Sequence, residues 1–168
     1  MTVVVDTNVI LVANRQHEGV GEACVAACAR RLLDIRNSGR LAIDDRYRIL
    51  SEYQNKTAPH VGKRVGDAFV MWLLRNNTNP ERCDQVPLTE HNERGFTSFP
   101  DDDRLADFDP PDRKFVAVAA THPNRPPILQ AADSKWLGWA EPLKGHGVSV
   151  EFLCPADIKK FRVKKTRA

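Results

Sequence analysis

A chain of 168 residues is most simply one domain, long enough to bury a single sizeable core. Its 42% hydrophobic and 28% charged residues exclude a disordered or fibrous chain. No apolar run reaches the length of a membrane span and the start lacks a signal-peptide pattern, so a cytoplasmic protein with no membrane role is expected, while a net charge of +3 does not by itself announce a nucleic-acid binder.

The first element is "TVVVD" (2–6), a β-branched run that reads as a short buried strand and gives out at Asp6-Thr7-Asn8. "GEACVAACARRLLDIRN" (21–37) carries apolar residues at helical spacing, with Gly39 as its stop. "RLAID" (40–44) is a second strand ending in acids, and "DRYRILSEYQNK" (45–56) a helix with Tyr47, Ile49, Leu50 and Tyr53 on one broad side. A further helix is expected over 61–76. Residues 77–111 are polar and irregular, with at most a short strand near "QVPL", and read as an inserted lid or binding loop.

The prolines of "PPDRKFVAVAATH" suit a helix start, and "PPILQAAD" (126–133) is a strand that again ends in an acid. "SKWLGWAEPL" is a short helix, "VSVEFLC" a last strand and "PADIKKF" a closing helix. This alternation predicts one α/β domain over 1–158 with a mostly parallel sheet, followed by a solvated basic tail at 159–168. The four cysteines, Cys24, Cys28, Cys83 and Cys154, form no framework. Cys24 and Cys28 share a helix face, no zinc spacing completes them, and a structural or incidental role is expected.

In a parallel sheet, ligands gather outside the carboxyl ends of the strands. Asp6 and Asp133 both end predicted strands, Glu52 flanks the apolar side of its helix, and Asp112 opens a very apolar helix. Singly, each has a plain explanation as a turn, a cap or a solvated charge. Together they predict acids converging at one sheet edge, where they repel one another unless cations join them. Oxygen-only ligands suit Mg²⁺ or Mn²⁺.

"VVVDTNVIL", "LSEY", "DPPDRKFVAVAA" and "ILQAADSKWL" resemble, in order and approximate spacing, the four acidic motifs of the PIN-domain nucleases, over about residues 2–155. The resemblance implies an α/β/α sandwich and divalent-metal-dependent phosphodiester hydrolysis, usually of single-stranded RNA. It aligns Asp6, Glu52, Asp112 and Asp133 with the metal-binding catalytic acids and Asn8 with a supporting polar residue. The small members are commonly dimeric toxin endoribonucleases held by an antitoxin, so a regulatory partner and a homodimer are further implications. Ala131 departs from the family's usual Ser or Thr, and the 77–111 segment is longer than in compact members.

The expected chemistry is in-line attack on phosphorus by water that the cation acidifies, and the resemblance implies products with a 5′-phosphate and a 3′-hydroxyl. Arg113, Lys114 and Lys135 stand beside the acids as phosphate contacts, with Arg46, Lys63 and Arg64 as a second set. Trp136 and Trp139 read as packed rather than base-stacking residues, and Asp109 as a substitute ligand near Asp112. A dehalogenase-like phosphatase is disfavoured because Asn8 stands where its proton-donating acid belongs, and "GVGEAC" does not follow a strand as a dinucleotide-binding turn must. The remaining alternative is a PIN-like module that binds nucleic acid or protein with little cleavage.

Overall fold

The computed structural model describes residues 1–167, with side chains through Arg162. Its centre is the strand β1, Thr2–Val5, whose valines are buried because both sheet faces are covered. Parallel pairing extends from β1 to β2 (Arg40–Asp44) and β3 (Cys83–Val86) on one side. On the other side lie β6 (Ile128–Gln130) and β7 (Val150–Phe152), giving the order β3-β2-β1-β6-β7. Right-handed crossovers then put α1 (Thr7–Ala13), α2 (Glu22–Ser38), α3 (Arg48–Lys56) and α4 (Val65–Asn76) in one layer. The same rule puts α5 (Arg113–Thr121) and α6 (Lys135–Gly145) in the other. The result is an α/β/α sandwich. No described helix is long and apolar enough to cross a membrane.

Several local expectations need correction. The apolar run after Asp6 is the helix α1, which the β-branched sequence conceals; Val9, Ile10 and Val12 bury its inner face. Tyr47 does not join the buried side of α3, because it adopts φ +60 just ahead of the helix and stands exposed. The α4 helix begins at Val65 rather than 61. Ahead of it, the buried Asp67 accepts from the Ala58 amide at 3.0 Å, the Asn14 side chain at 2.9 Å and Arg64 Nε at 2.8 Å, holding 58–64 as a loop. Gly66 lets α4 approach α1, since a Cβ there would stand 2.7 Å from the Ile10 carbonyl.

Residues 77–111 are only partly an insertion. Their first portion supplies the sheet strand β3, and the remainder holds a small hairpin, β4 (Glu90–His91) with β5 (Gly95–Phe96), plus 3₁₀ turns at Asp103–Leu105 and Pro110–Asp112. Asp102 is not a free loop acid: bonds from Arg104 and His146 hold its carboxyl well below the usual range. The segment expected as a tail is helical, because α7 runs Pro155–Arg167, so the limit at 158 falls inside a helix. The cysteines keep to the structural or incidental role expected but are not all unlinked: Cys24 and Cys154 are joined by a disulfide spanning 130 residues, and Cys28 and Cys83 are free and buried.

Candidate metal centre

The strand order reverses direction between β1 and β6, which makes their carboxyl ends the crevice of this sheet. Asp6 leaves β1 there and serves as N-cap of α1, its Oδ1 accepting from the Asn8 amide at 2.8 Å. The plain reading of Asp6 as a cap is therefore right for one oxygen. The other, Oδ2, is buried without a partner among the described residues, on a side chain whose residue is only 5% exposed. A buried carboxylate oxygen left unpaired is costly.

Asp109 and Asp112 arrive from the opposite layer, just ahead of α5. The helix α5 returns from the carboxyl edge to feed β6, so its N-terminus, with Asp112, lies at that edge. Carboxylate oxygens of Asp109, Asp112 and Asp133 can all lie within 4.8 Å of one another. Asp109, a substitute in the sequence reading, thus belongs to the group. Asp133 sits beyond β6 on a turn built by two side chains. Gln130 Oε1 accepts from the Ala131 amide at 2.9 Å and the Asp133 amide at 3.3 Å, while Asn8 Oδ1 accepts from the Ala132 amide at 2.8 Å. Asn8 therefore supports Asp6 by its backbone and the Asp133 turn by its side chain. Gln130 and Asn8 supply polar support that the small Ala131 cannot. Gln130 was missed in the sequence, where a glutamine ending the apolar "PPIL" run was its only signal.

Glu52 comes to the same edge but is already engaged. It accepts from the Thr7 hydroxyl and, at 2.9 Å, from Lys114 Nζ, with the two side chains only 17% and 11% exposed. Lys114 also donates to the Pro111 carbonyl. Its ammonium faces the protein rather than solvent, and it neutralises Glu52 instead of presenting a free phosphate contact. Arg113 is spent likewise: its guanidinium donates to the carbonyls of Arg94, Ala106 and Phe108 and stacks over Phe99. Lys135 stays half exposed and reaches Asp109 Oδ2 at 3.0 Å. In the second set, Arg64 is held by Asp67, whereas Arg46 and Lys63 are exposed.

Repulsion among the acids shows in their proton affinity. Burial, then Asp112, Asp133 and Glu52, push Asp6 up to about 8, the Asn8 amide opposing them. Burial, then Glu52, Asp133 and Asp109, raise Asp112 to about 6 against the pull of Lys114. Tyr53, whose hydroxyl donates to the Val5 carbonyl just ahead of Asp6, is held well above its ordinary value by burial and by Asp6 and Glu52. Asp109, Asp112 and Asp133 form a carboxylate-only donor set that fits a hard divalent cation; Asp6 is not within that trio's 4.8 Å spacing, but its unpartnered Oδ2 feels the charges of Asp112 and Asp133.

Two open clefts border the group. One, about 470 Å³, meets it at Asp109 and Lys135 and is also lined by Arg104, Gly138 and Trp139. The other, also about 470 Å³, meets it at Glu52 and Lys114 and includes Arg48, Asn55, Lys56 and Phe96. Trp136 packs edge-on and Trp139 tilted against Phe108, and both are buried, as the helical spacing suggested. Comparison with family models, with curated proteins and with solved structures finds no match for this chain.

Proposed function

We propose that this protein is a divalent-metal-dependent nuclease that hydrolyses internal phosphodiester bonds of single-stranded RNA. The observation that carries the reading is the unpartnered, buried Oδ2 of Asp6 at the sheet's switch point, where the charges of Asp112 and Asp133 raise its proton affinity. The resemblance of the four acidic motifs to PIN-domain nucleases supports it and is the ground for choosing RNA.

In this reading Asp6, Asp112 and Asp133 hold Mg²⁺ or Mn²⁺, with Asp109 as a further ligand. The bound cation would acidify water and offset charge on the phosphoryl oxygens. The chain's own contribution is to keep the ligands poised. Asn8 and Gln130 fix the Asp6 and Asp133 turns relative to each other, and Lys114 neutralises Glu52 so that the site is not over-charged. Lys135, Arg104 and Lys56 line the clefts and supply cations for the backbone on either side of the cut. A toxin-like role with an antitoxin-like partner and a homodimer come from the resemblance and belong to the same proposal, as does the cytoplasmic setting expected from the sequence.

A second reading, a binding module without cleavage, is favoured by the two lysines already inside the acid group, Lys114 on Glu52 and Lys135 on Asp109. The separating experiment incubates end-labelled single-stranded RNA and DNA with Mg²⁺, Mn²⁺ or EDTA, using wild type, Asp6→Asn and Asp112→Asn. The nuclease reading expects metal-dependent RNA cutting that both variants lose. Cutting that survives both substitutions refutes the site, and binding without cutting selects the module.

A further inference from the structure

Away from the acid group, where α2 meets the start of α7, three of the four cysteines come together. Cys24 and Cys28 lie one helical turn apart on α2, and Cys154 directly precedes α7. Cys24 and Cys154 form the disulfide, and the free Cys28 sulfur lies 3.9 Å from that of Cys154. All three are enclosed, at 3%, 0% and 4% exposure for Cys24, Cys28 and Cys154. We propose that they form a redox centre in which the Cys28 thiol exchanges with Cys24 for Cys154, and through which a dithiol reductant unlatches α7 from α2. The proposal does not depend on the nuclease reading.

The exchange needs no outside reagent. Cys28 loses its proton and attacks the Cys154 sulfur; the Cys28–Cys154 bond forms, the Cys24–Cys154 bond breaks, and Cys24 leaves as a thiolate that takes up a proton. Because both alternative partners sit on α2, exchange keeps α7 tethered. Release requires reduction, in which a dithiol gives two electrons and two protons to the protein and becomes a disulfide itself. Burial, together with Asp157, pushes the Cys28 thiol up to about 12, so the nucleophile is rarely formed and the exchange between Cys24 and Cys28 is slow.

Beyond the disulfide, non-covalent contacts also hold α7, among them a tilted ring contact between His17 and Phe161 at 6.0 Å. Ile158 is buried, Asp157 Oδ2 accepts from the Gly21 amide at 2.7 Å, and the Phe161 ring lies over Gly19. Gly19 at φ +80 and Gly21 lie in the short connection between α1 and α2. Loss of the disulfide therefore leaves this terminal helix without its covalent link to α2, held by non-covalent contacts that include the α1–α2 connection, Ile158 and Phe161, the kind of unit that opens locally.

The test uses the full chain. Cys24→Ser protein is oxidised with diamide, its free thiols are blocked with iodoacetamide, and the peptides are mapped by mass spectrometry. The proposal expects the Cys28–Cys154 linked peptide to replace the wild-type pairing in most molecules, with Cys83 alkylated throughout. Wild-type protein is followed in parallel by hydrogen exchange with and without dithiothreitol, which keeps the test decisive if the variant does not fold. Reduction is expected to speed amide exchange over residues 156–162 by about tenfold or more and to leave β1 and β2 unchanged. Free Cys28 and Cys154 in a folded, oxidised Cys24→Ser chain overturns the proposal, as does unchanged exchange in α7 after complete reduction.

Discussion

Replacing Asp6 by Asn is expected to stabilise the metal-free protein. The Asn side chain keeps the cap on the Asn8 amide, because Asn and Asp are equivalent N-caps, but it carries no charge. The wild-type carboxyl rises from the ordinary 3.8 to about 8 on folding. A raised acid favours the folded state fully below its unfolded value, and that contribution is lost as pH climbs from about 4 through 8, because only the native state still holds the proton. Relative to a permanently neutral side chain, the wild type at pH 7 is thus disfavoured by up to about 4 kcal/mol, and at pH 5 by about 1–2 kcal/mol. For a domain of 168 residues each kcal/mol moves Tm by about 2–4 °C. Thermal unfolding in EDTA at pH 5, 7 and 8 should therefore show Asp6→Asn melting higher than wild type, with a gap that widens as pH rises. A gap that does not change with pH, or an Asp6→Asn protein that melts lower at pH 8, would refute the reasoning.

Lys114→Met removes the cation that neutralises Glu52 and should cost about 2–4 kcal/mol in EDTA, read by urea unfolding. The same variant should bind Mn²⁺ more tightly than wild type, and a weaker affinity would contradict the role given to this lysine. Asn8→Ala breaks the bond to the Ala132 amide, so Mn²⁺ affinity should fall several-fold while stability drops by about 1–2 kcal/mol. Gly66→Ala drives a methyl against the Ile10 carbonyl and the Asn14 side chain, and should lower stability by about 2 kcal/mol or more with metal affinity unaffected. A Gly66→Ala chain as stable as wild type would show that α1 and α4 separate easily.

The sheet and its functional edge were legible because their signals are local. Uninterrupted valines mark β1, a glycine ends α2, and acids follow β1 and β6, which topology then brings together. The helix α1 was not legible, since "VILVA" has the composition of a strand and only the Asp6 cap and packing against α2 and α4 settle it. Tertiary context overrode propensity there. The pairing of Glu52 with Lys114 joins residues 62 apart, and neither helix pattern says which lysine turns inward. Arg113 looked like a phosphate contact by proximity alone; the carbonyls that take its guanidinium belong to an irregular segment with no readable conformation. The disulfide is beyond reach for the same reason, because four cysteines permit several pairings and spacing does not choose among them.

The account turns on whether the buried Asp6 carboxyl exchanges its proton for a cation. Isothermal titration of metal-free protein with Mn²⁺ at pH 7, in two buffers of different ionisation enthalpy, measures affinity and proton release together. With Asp6 at about 8, the account predicts saturable binding that releases about one proton, both lost in Asp6→Asn. Saturable binding with no proton released, or binding that Asp6→Asn retains in full, would contradict it.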